Sequence, residues 1–357
     1  MKCVHSAKDK RTRREATDSA LGVKSFWVSD RQVLSSTREL EAAIADVIFS
    51  RKEPRVSIDE LARAVHTSPA RAARAIFQLK ELGYPLHLSH ESIRHYPFRW
   101  IDLQQLGANP ATQRIGRRVE WRLHVCSTQD ELKKLKDEAP DGTVLIAETQ
   151  YGGRGRLKRN WFSGLGGVWM SVLLRPTWSE SHQILPMAFA GAVARAIGDV
   201  VELSPMLKWP NDLMLRSRKV AGLLAESNYQ GNNLDHVILG FGINANIEIA
   251  RLPKELRRHS TSLSHELGQE VDRTILVRHI IEEVDRSYRD FESGHADEML
   301  EEVRPLCSTL GKEVQVTTAE GIFKGEALDL GNDGQLKVRM SDGTIVSFFA
   351  ADVKHLR

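Results

Sequence analysis

Apolar residues recur at helical spacing from about residue 36, where Leu40, Ala43, Ile44, Val47 and Ile48 share one face. Residues 56–84 predict two further helices. In the first, Ile58, Leu61, Ala62 and Val65 turn inward, and Ser57 with Glu60 three residues on reads as a capping box. Thr67 or Ser68 caps the second, with Pro69 near its first position, where a missing N–H costs nothing. Its inner face is Ala72, Ala73, Ile76, Leu79 and Leu82, and Gly83 ends it. Two helices joined by a turn of three or four residues read as a helix-turn-helix. The loosely alternating stretch 85–103 reads as a two-stranded wing behind them. Pro97, Gly107, Asn109 and Pro110 mark a linker near 97–112.

From about 117 to 300 the pattern alternates between strand and helix. Residues 119–125 and 143–148 predict strands, with a helix between them capped by Thr128 and Glu131. A buried strand at 167–175 and helices at about 182–198 and 274–292 follow, with strands at 218–227 and 236–243. A mixed sheet with packed helices is the domain this implies. Beyond 311, short strands are split by the hairpin turns Asn332-Asp333-Gly334 and Asp342-Gly343, as in a small SH3-like barrel. The fold class is therefore α+β and multidomain. A winged helix-turn-helix spans 36–100, a mixed-sheet α/β domain 101–305 and a small β-barrel 306–357. Residues 1–35 carry Lys2, Lys8, Lys10, Arg11, Arg13 and Arg14 with little apolar content, and read as a flexible basic extension.

Composition narrows the class without naming it. At 357 residues the chain exceeds the roughly 100–200 of one domain. A net charge of +3 does not by itself imply a nucleic-acid or membrane partner. Cys3, Cys126 and Cys307 are scattered and odd in number, which argues against a disulfide framework or a zinc site and fits a reducing compartment. No run of 18 or more apolar residues occurs and no secretory signal opens the chain, so the expected place is the cytoplasm, with no membrane partner.

Four stretches carry chemistry. Residues 148–163 follow an apolar strand. There Gly152, Gly153 and Gly155 permit close approach, and Arg154, Arg156, Lys158 and Arg159 surround them with positive charge. Such a loop suits a phosphate or carboxylate. It is neither a Walker A loop nor a dinucleotide fingerprint, and taken alone it reads equally well as a solvated basic loop. In 207–215, Lys208 lies between apolar neighbours in a strand that Pro210-Asn211-Asp212 ends; a partly enclosed ammonium needs an anion, although a snorkelling lysine gives the same pattern. In 126–131, Ser127 and Thr128 stand at a strand-to-helix junction that suits a carbonyl or urea-like ligand, or serves as a plain N-cap. In 240–247, glycines and Asn244 close a strand. On the second predicted helix Ser68, Arg71, Arg74 and Gln78 face outward, as DNA-reading residues would, while Ala70, Ala73 and Ala75 leave few side chains for bases.

In order and spacing these stretches resemble the biotin protein ligases. The pieces that carry the likeness are GRGR-x(4)-WFS, KWPND with RKVAGLLAE behind it, and G-x-G-x-N. Residues of about 36–357 are similar to the bifunctional ligase–repressor form, with a winged helix, a catalytic domain of the biotin/lipoate ligase type and an SH3-like C-terminal domain. The resemblance implies an ATP- and Mg2+-dependent enzyme that converts biotin to biotinyl-5′-AMP and passes it to a lysine of a biotin carboxyl carrier domain. It implies that Ser127, Thr128, Gln129 and Gln150 hold the biotin head group, with Gln129 standing where the family usually has asparagine. Arg154, Gly155 and Arg156 would close over biotin and phosphate, with Arg154, Arg156 and Lys208 as the catalytic cations. Trp161, Asn211, Asp212 and Asn244 would join Arg154 around the nucleotide, with Asp212 the candidate magnesium contact. Operator DNA and an adenylate-loaded homodimer are the further partners expected. The alternatives are a ligase whose helix-turn-helix is non-functional and a biotin-sensing repressor without transferase activity. A lipoate–protein ligase would carry an R-R-x-S-G-G-G type of loop, which is missing here.

Overall fold

The computed structural model describes residues 37–89, 92–106, 109, 111–177, 182–349 and 351–356. The basic extension expected over 1–35 lies outside them, as do Gly107 and Pro110 of the expected linker.

Helices α1 (Thr37–Phe49), α2 (Ile58–Ala64) and α3 (Pro69–Glu81) pack with three short strands, β1 (Arg55–Ser57), β2 (Leu86–Leu88) and β3 (Ser92–His95). The Ser57 hydroxyl accepts from Glu60 N at 3.0 Å, but the Glu60 carboxylate pairs with Arg51, so only half of the capping box forms. Ser68 caps α3 by accepting from Arg71 N. The buried stripe of α3 is Ala72, Ala75, Ile76 and Leu79, the i, i+3, i+4, i+7 rhythm of one helix face. Ala75 therefore faces the core where Ala73 was expected to. The strands run antiparallel in the order β1-β3-β2, and β1 was not anticipated, because three residues are too few for a visible alternation.

The stretch expected to be a linker is packed. It contains α4 (Leu103–Leu106), and Ile101 and Leu106 are buried in the central core. Ile101 N and Trp121 Nε1 both donate to Glu148 Oε1, at 2.9 and 3.2 Å, while Arg273 Nη1 donates to Glu148 Oε2 at 2.7 Å. Glu148 is fully buried and Arg273 nearly so. Replacing Arg273 by Met should strand that carboxylate and cost about 3–5 kcal/mol in urea unfolding. A loss of less than about 1 kcal/mol would mean the pair does not hold this segment down.

The central sheet has seven strands in the order β4-β5-β6-β10-β9-β8-β7. They are β4 (Val119–Val125), β5 (Val144–Gln150), β6 (Val168–Leu174), β7 (Met206–Lys208), β8 (Asp212–Leu215), β9 (Arg218–Gln230) and β10 (Asn233–Ile243). Only β4 and β5 are parallel, which makes the sheet mixed, as expected. The helices are α5 (Thr128–Leu135), α6 (Leu185–Val201), α7 (Leu263–Leu267), α8 (Arg273–Glu292) and α9 (Ala296–Val303). Alternation along the strands assigns the two faces. Val144, Ile146, Val172, Leu174, Val237 and Leu239 join α6 and α8 in the main core, whereas Leu145, Leu173 and Ile238 pack with Leu132 of α5. The span His182–Val201 is long and apolar enough to cross a membrane by length and composition, but 67% of it is buried inside the protein, α6 packing against α8 and the sheet.

The C-terminal strands are β11 (Glu313–Thr317), β12 (Ile322–Leu330), β13 (Leu336–Met340), β14 (Ile345–Phe348) and β15 (Asp352–His355), in the antiparallel order β14-β13-β12-β11-β15. Both expected hairpin turns form, with Gly334 at φ +76° and Gly343 at φ +86°. Val314, Val316, Ala327 and Leu336 are continuous with the main core, and Trp209 Nε1 donates to the Gly334 carbonyl at 2.9 Å. This small β domain is thereby fixed beside the β7–β8 hairpin.

Candidate active site

A cavity of about 410 Å³ lies where the ends of β9 and β10, the N-terminus of α5, the β7–β8 hairpin and the segment 150–163 meet. That size is ordinary for a small-molecule site. Ser127, Thr128, Gln129, Gln150, Arg154, Gly155, Arg156, Trp161, Lys208, Asn211, Asp212 and Asn244, all of the residues expected at the ligand site, line it. Asp352 and Val353 of β15 complete the wall.

One end is neutral and polar. Ser127, not Thr128, is the N-cap residue of α5, and its hydroxyl makes no cap hydrogen bond. Thr128 N donates to Gln150 Oε1 at 2.7 Å, and Gln150 Nε2 donates to Ser163 Oγ at 3.0 Å. Thr128 Oγ1 and Ser171 Oγ are 2.6 Å apart. Gln129 Nε2 reaches Leu224 O and Ile238 O at 3.2 and 3.3 Å, so its donors are taken by strand carbonyls and its Oε1 remains an acceptor. The side chain lies over Gly240, where a Cβ would come within 3.0 Å of it.

The other end is cationic. Arg154 is bidentate to Asp130 at 2.6 and 2.8 Å and reaches Glu226 at 3.4 Å. The Asp130 hydrogen bonds, with Glu226 behind them, push its pKa further up. Arg154 is thus neutralised by two carboxylates that the sequence reading did not single out. Arg156 is half-buried, 3.5 Å from Asn211 Oδ1, and has no carboxylate ion pair among the described residues. Burial pushes its pKa down. Lys208 is also half-buried and has no ion pair among the described residues. Burial lowers its pKa, Asp212 partly offsets this, and Lys219 adds to the lowering. Asp212, the candidate magnesium contact, pairs instead with Lys219. No group of three His, Cys, Asp or Glu side chains that could hold a metal occurs among the described residues.

The GFGIN glycines build a flat floor. Gly242 and Gly222 face each other across β10 and β9, and the Trp161 ring lies over both. A Cβ at Gly242 would meet Trp161 Cε2 at 2.6 Å, and one at Gly222 would meet Cζ3 at 3.1 Å. Trp161 Nε1 is buried without a hydrogen-bond partner among the described residues. Asn244 is spent on the protein, donating to Thr261 O at 2.9 Å, and Asn211 Nδ2 donates to Leu223 O.

Residues 150–163 form a laddered flap, more ordered than the glycines alone suggest. Gln150 N donates to Ser163 O, Trp161 N to Gly153 O and Gly155 N to Arg159 O, at 3.0, 2.9 and 2.8 Å. The tip holds Leu157 and Lys158 at φ +54° and +58°. A Cβ at Gly155 would meet only Arg159 O among the described residues, at 3.7 Å, so none of them excludes a side chain there. Arg159 pairs with Asp352 of β15. At the feet, Arg38 of α1 donates to Tyr151 O at 2.9 Å, and Leu165 N donates to Leu82 O at the end of α3, at 2.8 Å.

Residues 122–244 match the Biotin/lipoate A/B protein ligase family, and residues 309–356 match the Biotin protein ligase C terminal domain. The bifunctional ligase/repressor BirA of Bacillus subtilis is 29% identical over 309 residues, covering 84% of this chain and 93% of that protein. The biotin–[acetyl-CoA-carboxylase] ligase of Mycobacterium tuberculosis is 31% identical over 225 residues, covering 61% of this chain and 80% of that protein. Among solved structures, the Aquifex aeolicus biotin protein ligase in complex with biotin and ATP superimposes with a TM-score of 0.61 at 29% identity, covering 67% of this chain and 99% of that one. The chain belongs to the biotin protein ligase family and is a biotin–[biotin carboxyl-carrier protein] ligase.

Proposed function

We propose that this cavity joins biotin to ATP and delivers biotin to a carrier lysine, and that Lys208 and Arg156 are the cations that make the first step possible. The observation that carries this reading is two half-buried cations without carboxylate ion pairs among the described residues, in one cavity with a neutral polar end built from Ser127, Thr128 and Gln150. The polar end suits the urea-like head group, and Gln129 Oε1 offers an acceptor for its N–H. The cationic end suits the biotin carboxylate and the α-phosphate, which repel each other until both are bridged. The carboxylate oxygen attacks the α-phosphorus, the α–β bridging bond breaks, and pyrophosphate leaves. The carrier amine then attacks the carbonyl of the mixed anhydride, loses a proton, and AMP departs. The flap covers the adenylate meanwhile and excludes water. Magnesium, when bound, would neutralise charge on the triphosphate. Asp212 is the donor this chain offers it, and that carboxylate already holds Lys219, so the ion would have to arrive with the nucleotide.

The test is incubation of the purified protein with ATP, labelled biotin and a carrier domain. Labelled carrier is the expected product, and carrier that stays unlabelled at full biotin and ATP overturns the transfer reading. The cytoplasm is the compartment proposed, in keeping with the free thiols of Cys126 and Cys307.

A second role is favoured by a separate observation. Arg71, Arg74, Phe77 and Gln78 form an exposed face of α3, which follows α2 after four residues, Val65 to Ser68. We propose that residues 37–95 are a winged helix that reads operator DNA through this face. Phe77 adds an apolar contact for a thymine methyl. The Ser68 hydroxyl is already taken by Arg71 N, so its share in base reading is small. One such unit has little footprint, so binding should need an adenylate-loaded homodimer. Gel shifts with the biotin-operon promoter are expected only with biotin and ATP present. Ligand-independent binding would remove the switch, and binding no stronger than to random DNA at physiological salt would remove repression. The carrier is proposed to dock by edge-strand pairing on the surface used for dimerisation. On the outer edge of β4 the Leu123 carbonyl is already taken, accepting from Tyr84 at 2.9 Å, which favours another edge. A sedimenting species holding both dimer and carrier would overturn shared use.

A further inference from the structure

Strand β7 has three residues and stands at the edge of the central sheet, yet it carries Lys208. On one side it pairs with β8, Lys208 opposite Asp212. On the other side the segment 307–309 closes it. Ser308 N donates to the Leu207 carbonyl at 2.7 Å, and Ser308 Oγ donates to the same oxygen at 3.0 Å. Trp209 N donates not to a carbonyl but to the Thr309 hydroxyl, at 3.0 Å. The backbone groups flanking Lys208 are thus held by two adjacent residues, and one of the two holds by a side chain that can turn.

What stops Thr309 from turning is His355. Thr309 is fully buried, and its oxygen lies 3.0 Å from Nε2 of His355 on β15. A hydroxyl has one proton and two lone pairs. The Trp209 N–H can only donate, so the Thr309 oxygen accepts there and its proton is left for a second partner. The Cys307 thiol is close by, but burial pushes its pKa up, and a protonated sulfur is a weak acceptor. The imidazole nitrogen is the better one. It accepts only without a proton of its own, which requires a neutral ring with its proton on Nδ1. The surroundings favour that form. Burial, and then the ammoniums of Lys312 and Lys208 facing the ring, push its pKa down to about 4. Val314 of β11 stands opposite His355, and Leu356 N donates to Glu313 O at 2.8 Å, so the backbone that carries the ring is fixed as well.

We propose that His355 is a positioning residue for Lys208: as a neutral acceptor it fixes the Thr309 hydroxyl, which fixes the Trp209 amide and with it the end of β7. The inference rests on the adenylation reading of Lys208 above and adds the C-terminal strand to it. His355 is not one of the residues that line the cavity, so it acts through Thr309 and Trp209. No bond is made or broken. A charged ring in this place would lose the hydroxyl proton and set a further cation against Lys208.

Variants of the full chain test this. In His355→Gln the amide oxygen can take the place of Nε2 and accept from Thr309, whereas His355→Leu fills the space without an acceptor. His355→Leu should lower kcat/KM for ATP in biotin-dependent ATP–pyrophosphate exchange by about 10- to 100-fold, the cost of a group displaced by up to about 1 Å. His355→Gln should stay within about threefold of wild type. The alkaline limb of the exchange profile gives a readout that lost stability alone would not move. It should shift toward the range of an ordinary lysine in the Leu variant, as Lys208 leaves its buried place, and stay put in the Gln variant. Thr309→Val should reproduce the Leu phenotype, and adding His355→Leu to it should change exchange by no more than about twofold. Nitrogen NMR of the wild type should show His355 neutral, with its proton on Nδ1, at about pH 6. A Leu variant within about threefold of wild type overturns the proposal. So do Leu and Gln variants that fall alike, and so does a ring that carries its proton on Nε2. A wild-type protein whose exchange ignores biotin would instead sink the adenylation reading itself.

Discussion

Replacing Lys208 by Ala is expected to lower biotin-dependent ATP–pyrophosphate exchange by about 100- to 1,000-fold, the usual cost of removing a pre-placed donor from the developing charge. Lys208 is held by β7 beside the β8 hairpin, half-buried, with no ion pair among the described residues. Its charge is therefore available to a ligand, and Arg156 alone cannot span both a carboxylate and a phosphate. Exchange within tenfold of wild type would take Lys208 out of the chemistry. A pH series gives an independent reading. Burial, first among the causes, lowers the Lys208 pKa below that of an ordinary lysine. The active, charged form should thus be lost earlier on the alkaline side than for an exposed lysine, and nucleotide affinity should fall with it. Stability moves the other way. Because the folded pKa lies below the unfolded one, the unfolded chain binds more protons between the two values, and folding stability from this group rises with pH there. Falling exchange with no fall in melting temperature across that window is the expected result. Parallel loss of both would assign the pH effect to unfolding.

Gly242→Ala should be nearly as damaging, although it adds only one methyl group. The new Cβ would lie 2.6 Å from Trp161 Cε2 and 2.7 Å from its Nε1, so the ring must leave the floor it shares with Gly222. Displacing a wall residue by about 1 Å can cost 100-fold in rate. The loss should appear in KM for ATP and in kcat, while biotin affinity without ATP holds, because Ser127, Thr128 and Gln150 lie at the other end. The fold should survive: Gly242 does not adopt a positive φ, and replacing such a glycine does not strain the chain. Unchanged kinetics would show that Trp161 has room to step aside.

The residues that line the cavity were largely legible as a group, because glycines, arginines and a strand-embedded lysine each announce a local requirement. What escaped the sequence was how they are partnered. Arg154 looks like a free cation until Asp130 on α5 and Glu226 on β9, both distant in sequence, fold onto it. Lys219 hides because a bulge breaks the period of two on which strand faces are read. Elements went the same way. Long strands and helices with clear periods were anticipated, whereas β1 and β15 are too short for a period to show. Polar punctuation over 97–112 concealed Ile101 and Leu106, whose burial depends on Glu148 and Arg273 far along the chain.

The feet of the flap carry a last consequence. Arg38 grips Tyr151 at one foot and the Leu82 carbonyl grips Leu165 at the other, so α1 and α3 each meet the flap through a direct hydrogen bond. The helices and the flap are two arms of one balance. By whatever factor a molecule held by the flap tightens the hold of a partner on the helices, that partner must tighten the hold on the molecule by the same factor. Any such coupling would have its shortest route through the carbonyl oxygens of Tyr151 and Leu82.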